Sequence, residues 1–105
     1  ATRFYINAVY RNTVTATGRF GVHVKIPTLG YLDILSEFHD VKPEEIGVIT
    51  VQLQAHELSY EGTYPHSGVV ELIRAIKDST GKDLGLTIDG SSVFSFEVIK
   101  FSGPR

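Results

Sequence analysis

The stretch GVVELIRAIKDST, residues 68–80, decides the predicted fold class because it carries the strongest helical pattern in the chain. Its apolar residues recur three and four positions apart, which is the spacing of one buried helix face. The residues on this face are Val69, Leu72, Ile73 and Ile76. Ser67 can cap the first turn, and Gly81 can end the last one. The stretch therefore predicts a helix over 68–80.

The segments before this helix read mostly as strands. Residues 3–11 are rich in aromatic and β-branched side chains, and residues 14–26 alternate between apolar and polar side chains. Both patterns are typical of strands. The polar stretch 11–13 predicts a turn, so the two strands are expected to form a hairpin. A third strand is predicted over 48–58, which has the same alternation.

A second, shorter helix is predicted between residues 28 and 38. Thr28 can cap it, and the apolar residues that follow again have helical spacing. They are Tyr31, Ile34, Leu35 and Phe38. Pro43, followed by two acidic residues, predicts one further helical turn before the strand over 48–58 begins.

The C-terminal segments 84–88 and 91–101 predict a final hairpin around Asp89-Gly90. A three-residue loop with a glycine bulge would place Leu84 and Leu86 on one face together with the two aromatic residues of the last strand. Burying all four side chains is the larger apolar gain, so this loop is preferred over a two-residue turn. The aromatic residues are Phe94 and Phe96.

These elements together predict an α+β fold with the order ββ-α-β-α-ββ. A five-stranded, largely antiparallel sheet with two helices on one face buries every predicted apolar stripe. The 105 residues have a globular composition and contain no linker or low-complexity tract, so a single domain over 1–105 is expected.

The composition also limits the chemistry and the compartment. The chain contains no cysteine, which excludes disulfides, thiolate catalysis and cysteine-ligated metals. The N-terminal residues lack the pattern of a signal peptide, and the apolar runs are too short for a membrane span. The small residue Ala1 fits removal of an initiator methionine. A cytoplasmic protein without a membrane association is therefore expected.

Charge is segregated along the chain. The first 27 residues carry four Arg or Lys residues and no Asp or Glu, whereas residues 28–66 carry seven acidic residues and one Lys. The formal net charge is −2. Segregation of this kind is informative about partners, because the two blocks can attract each other within one chain or between chains.

The N-terminal strands offer a candidate binding face. Their alternation places basic and aromatic side chains together, an arrangement that can contact phosphates and stacked bases. The candidate residues are Arg3, Tyr5, Arg11, Arg19, His23 and Lys25. Nucleic-acid or nucleotide binding through this basic N-terminal hairpin is the first alternative function. A solvent-exposed face without a ligand would have a similar composition.

A second alternative is a hydrolase-type enzyme that uses the loop 56–66. His56, Glu57 and His66 could supply a general base or hold a divalent metal, and two tyrosines lie between them. Their spacing matches no known catalytic or metal motif, and a solvated loop would look the same. No metal and no cofactor is therefore predicted, and an enzyme is the less favoured class.

The favoured prediction is a small non-enzymatic protein-binding or assembly protein that acts as a homo-oligomer, with a dimer preferred. It combines the absence of a catalytic motif in the sequence, the charge segregation and the open sheet edges. A foreign protein or a polyanion remains an alternative partner.

Overall fold

The computed structural model describes residues 2–56, 58 and 60–101, and these residues form an all-β structure. A 3-10 turn at Pro27–Leu29 is the one helical element in the described part of the chain. All strand pairs are antiparallel. The described residues contain the strands β1 (Thr2–Arg11), β2 (Gly18–Ile26), β3 (Tyr31–Leu35), β4 (His39–Val41), β5 (Ile46–Ala55), β6 (Gly62–Lys77) and β7 (Asp83–Lys100).

The strands form two sheets that pack face to face. β1 and β5 form a two-stranded sheet, and β3, β2, β6 and β7 follow one another in a five-stranded sheet in which β4 also pairs with β2. The hairpin of β6 and β7 is longer than the other strands, so the molecule is elongated, with extents of 61 × 23 × 19 Å.

The core lies between the sheets and follows strand alternation. Alternate residues of β2 and β5 are buried against one another, as the period-2 patterns of these segments predict. The buried residues of the two strands are Phe20, Val22, Val24, Ile26, Ile49, Val51, Leu53 and Ala55. Side chains of β1 and of the C-terminal half of β7 also pack against this cluster but are only partly buried: Phe4, Ile6, Ala8, Tyr10, Phe94, Phe96 and Val98.

The predicted α+β fold is wrong, and the segment 68–80 is the main reason. It forms part of β6, which lies between β2 and β7 in the five-stranded sheet. Val70 and Leu72 point towards the core, whereas Ile73 is buried on the opposite face of the strand. A strand with apolar residues on both faces has no clean alternation, and its spacing then resembles a helix.

The second predicted helix, between 28 and 38, is also wrong. Gly30 follows the 3-10 turn with φ +84°, a conformation that favours glycine, and reverses the chain so that β3 pairs with β2. The predicted helical turn at Pro43 is likewise absent from the described structure. It is replaced by a turn in which Glu44 has φ +65° and its N–H donates to the carbonyl of Asn12.

Two predicted hairpins are wrong as well. β1 pairs with β5, not with β2, so the first two strands belong to different sheets. β7 continues through Asp89-Gly90 with a bulge, and the connection to β6 is a turn at 78–82. The carboxylate of Asp78 accepts N–H bonds from Thr80 and Lys82 there. The bulge reverses the alternation of β7, which leaves Leu84 and Leu86 exposed.

Candidate functional site

One long side of the sandwich is open. β1 is the outer strand of the two-stranded sheet and β7 is the outer strand of the five-stranded sheet, and both edges lie on this side. Within the described residues, neither edge has a neighbouring strand. An edge strand exposes unpaired backbone N–H and C=O groups, which can accept another strand. These two edges and the clefts between them are called the open side below.

Apolar side chains line the open side. One cleft of about 580 Å³ lies between Phe4 and Ile6 of β1 and Phe94, Phe96 and Val98 of β7. The rings of Phe4 and Phe96 are 5.5 Å apart, and those of Phe94 and Phe96 are 6.0 Å apart. Contacts between two partly buried aromatic rings hold the sheets together here, but they leave apolar surface exposed to water.

A second cleft continues the first along the same two strands. It has a volume of about 430 Å³ and runs from Ile6 to Tyr10 on β1, opposite Gly90, Ser92 and Phe94 on β7. Ile6 and Phe94 line both clefts. The two clefts therefore follow most of the length of β1, and they show that β1 and β7 run in opposite directions across the open side.

Hydrogen bonds bridge the two sheets on the opposite side of the sandwich, which is called the closed side below. The hydroxyl of Tyr31 donates to the carbonyl of Gln54 at 2.8 Å and accepts from the N–H of Gln54 at 2.9 Å. The side chain of Asn12 is buried and donates to the carbonyl of Val41 at 2.7 Å. The backbone groups of Gln54 and the carbonyl of Val41 are therefore satisfied inside the molecule.

The predicted basic face is divided between two surfaces. Arg3, Tyr5 and Arg11 lie on the outer face of the two-stranded sheet, because they alternate with the core-facing residues of β1. Arg19, His23 and Lys25 lie on the outer face of the five-stranded sheet for the same reason. The two outer faces point away from each other, so these residues do not form one continuous basic surface.

Acidic side chains accompany most of these basic residues. An Arg19 guanidinium nitrogen lies 3.3 Å from Asp40, and one of Arg11 lies 4.0 Å from Glu44. Both contacts join the basic N-terminal block to the acidic middle block within one molecule. Part of the positive charge of the N-terminal block is thus neutralised by acidic residues of the same chain.

His23 lies at the centre of a charged cluster that links three strands. Its Nδ1 is 2.9 Å from Glu71 of β6, and its Nε2 contacts Asp33 of β3. Lys25 Nζ lies 3.5 Å from the same oxygen of Glu71. The hydrogen bond to Glu71, followed by that to Asp33, raises the pKa of His23 above 6.5. The same bond lowers the pKa of Glu71. The arrangement holds β3, β2 and β6 together.

The predicted catalytic loop is partly strand. His66 belongs to β6, where its Nδ1 lies 2.6 Å from the hydroxyl of Thr28 and its ring stacks on Phe96 at 5.4 Å. His56 follows β5 and is exposed, and Glu57 lies outside the described residues. Among the residues that the structure describes, no group of three or more His, Asp or Glu side chains could hold a metal ion.

Comparisons with protein-family models, with curated proteins and with solved structures find no match. The described residues also contain no helix that is long and apolar enough to cross a bilayer.

Sequence reasoning selected the polar residues of the candidate surfaces and missed the apolar open side. The missed residues are Phe4, Ile6, Phe94, Phe96 and Val98. Alternation of apolar residues along 4–10 and 94–98 was a usable signal, because it predicts one apolar face on each strand. The pattern does not show which strands are neighbours in the sheets. The strand order decides whether another strand covers such a face.

Proposed function

We propose that this chain is a non-enzymatic assembly protein that works as a homo-oligomer and associates through the open side. The observation that carries the proposal is the pair of uncovered edges, β1 and β7, with apolar clefts between them. Association there would satisfy backbone groups and bury aromatic side chains at the same time.

The apolar part of this gain is substantial on general grounds. Removing apolar surface from water is favourable by roughly 25 cal/mol per Å², and aromatic side chains have large areas. Phe94 and Phe96 are partly buried in the isolated chain, so they retain surface that a partner can cover. Exposed apolar clefts on a small protein are typical of interaction surfaces.

Attraction between the charged blocks is not the driving force of this association. Arg19 and Arg11 already meet acidic residues of their own chain, which reduces the charge that two copies can exchange through these residues. The open side supplies a different driving force, and its geometry suits a strand rather than a compact ligand, because strand edges require backbone partners along their length.

The test is the solution mass of the protein alone, measured by sedimentation or light scattering. The expected result is an oligomer of the 11.6 kDa chain, with a dimer of twice that mass favoured. Ser92→Lys should give a monomer, because Ser92 is exposed at the cleft and a lysine there would carry charge into the closed interface.

The matched control is Gln52→Lys, which adds the same charge on the exposed outer face of β5. Gln52→Lys should keep the mass of the parent. A monomeric parent at high protein concentration would contradict the proposal, as would a Ser92→Lys variant that is folded and still associates.

A further inference from the structure

We infer that the partner at the open side is a second copy of this chain, arranged so that β1 of each copy pairs with β7 of the other. This inference rests on the proposed function and specifies its geometry. The open side presents one edge from each of the two sheets, so a second copy can cover both edges at once. A closed twofold dimer is the commonest form of such association.

Two twofold arrangements can join the open sides. With the axis parallel to the strands, β1 of one copy lies beside β7 of the other, and this contact occurs twice. With the axis running from one sheet to the other, β1 lies beside β1 and β7 beside β7. Because β1 and β7 run in opposite directions, both arrangements give antiparallel pairs. Backbone geometry alone does not choose between them.

The position of a residue along the strand direction, called its level below, determines which side chains of the two copies would meet. Phe4 lies over Phe96, and Ala8 lines the same cleft as Ser92. Because β1 and β7 run in opposite directions, Arg3, one residue before Phe4, lies at the same level as Glu97, one residue after Phe96. In the other direction the alignment holds as far as Tyr10 and Gly90, because Asp89 is the bulged residue of β7. The carboxylate of Asp89 is already bound by Arg74 of the same chain at 2.7 Å. These levels are kept when the axis is parallel to the strands.

Charge then favours the reciprocal arrangement. β1 contains Arg3 and Arg11 and no acidic residue, whereas β7 contains three acidic residues and one Lys. Pairing β1 with β7 of the partner copy places Arg3 at the level of Glu97, and both side chains are exposed. Opposite charges on neighbouring strands stabilise a sheet and fix its register.

The other arrangement places like charges together. A twofold axis through the centre of the open side would bring Arg3 to the level of Arg11 of the partner copy and would separate Arg3 from Glu97. Like charges directly opposite each other on neighbouring strands are destabilising. Arg3 therefore favours the reciprocal arrangement over the other one.

The reciprocal arrangement also completes the core. Each sheet would contain the five strands of one copy and the two strands of the other, with the core-facing residues of β1 and β7 on the same face. Phe4 would then lie beside Phe96 of the partner copy, and Ile6 beside Phe94. The apolar clefts of the open side become interior, which is the physical reason for the dimer.

Charge exchange between two variants tests this arrangement. In the Arg3→Glu variant alone, the new Glu would lie beside Glu97 of the partner copy. In the Glu97→Arg variant alone, the new Arg would lie beside Arg3 of the partner copy. Each variant should raise the dimer dissociation constant by about tenfold or more. An equal mixture should restore association, because the heterodimer then pairs Glu with Arg at one contact and keeps the native pair at the other. Melting curves of the separate variants verify that each is folded.

The results separate the arrangement from the proposed function. The reciprocal dimer is supported if the parent associates and if the mixture of Arg3→Glu and Glu97→Arg recovers the affinity of the parent. If the parent associates and Ser92→Lys blocks it, but the mixture gives no recovery or Arg3→Glu alone strengthens association, the reciprocal arrangement is wrong and the proposed function stands. A parent that is monomeric overturns both.

Discussion

The ring of Phe4 in β1 lies 5.5 Å from the ring of Phe96 in β7, and this contact connects the outer strands of the two sheets. Both side chains are only partly buried, and the ring of His66 stacks on that of Phe96 at a centroid distance of 5.4 Å. The aromatic group is therefore part of the core of one molecule and also the centre of the surface that we propose for association.

Phe96→Ala should weaken both folding and association. Removal of the ring loses packing against Phe4 and His66, and because the side chain is partly exposed the loss should be about 2 kcal/mol, below that of a fully buried Phe. Phe101→Ala is the control, since this side chain is 77% exposed. Urea unfolding measures the free energy of both variants, and an equal loss for the two would contradict the packing described for Phe96.

The His23 cluster should make stability depend on pH. The pKa of His23 is raised in the folded protein, so its contribution is fully present below pH 6.5 and is lost as the pH rises through the folded-state pKa. The pKa of Glu71 is lowered from 4.5, so its contribution is present above that pH and is lost as the pH falls through the folded-state pKa. The contribution of the pair is therefore greatest between pH 4.5 and 6.5.

Unfolding of the parent and of His23→Gln at ~pH 5.5 and ~pH 8.5 measures this effect. The difference between the two proteins should be larger at the lower pH. In a Glu71→Gln background the same substitution should have a smaller effect, because the hydrogen bond to the Glu71 carboxylate contributes most to the raised pKa of His23. A difference that does not change with pH would show that the cluster contributes no proton-linked stability.

Asn12 should be essential for the closed side of the sandwich. Its side chain is buried, donates to the carbonyls of Val41 and Ala16, and accepts the N–H of Val14. Asn12→Ala leaves these backbone groups unpaired and should reduce the free energy of unfolding by about 1–3 kcal/mol. Thr13→Ala, at an exposed neighbouring position, should change it by less than about 0.5 kcal/mol. Equal effects in urea unfolding would contradict the bridging role of Asn12.

Gly68 should tolerate no side chain. A Cβ atom at this position would lie 2.6 Å from the carbonyl oxygen of Lys25 and 2.7 Å from the ring of Phe94. Gly68→Ala should therefore destabilise the fold by about 1–3 kcal/mol, because the backbone of β2 must move. Gly90→Ala is a matched control on β7, where a Cβ atom would meet nothing within 4 Å. Thermal unfolding of the two variants compares them, and similar losses would contradict the close approach.

Individual strands were predictable from the sequence where one face is buried and the other is exposed. The segments 3–11, 14–26 and 48–58 show this alternation, and the structure confirms strands within them. The segment 68–80 was not predictable in this way. Its strand lies between two others and carries apolar residues on both faces, so tertiary position rather than local pattern decides its conformation.

The pairing of strands was less predictable than their existence. A short polar stretch after β1 is typical of a hairpin, but Asn12 instead bonds to Glu45 and Glu44 and carries the chain into the other sheet. The predicted hairpin of β1 and β2 also explains why their basic residues were expected on one face. The open side depends on the same pairing, and the two aromatic strands that form it are far apart in the sequence.

The measurement that most directly tests the reciprocal dimer is cross-linking between single cysteines, and the native chain has none to interfere. Ala8→Cys and Ser92→Cys proteins are mixed and treated with a short thiol-reactive cross-linker. Within one molecule the two positions lie on opposite sheets, about 10 Å apart, whereas paired neighbouring strands lie about 5 Å apart. The mixture should form a covalent dimer that contains one copy of each variant, and Ala8→Cys alone should form little. A mixture that remains uncoupled, or efficient coupling of Ala8→Cys with itself, would contradict the reciprocal pairing of β1 with β7.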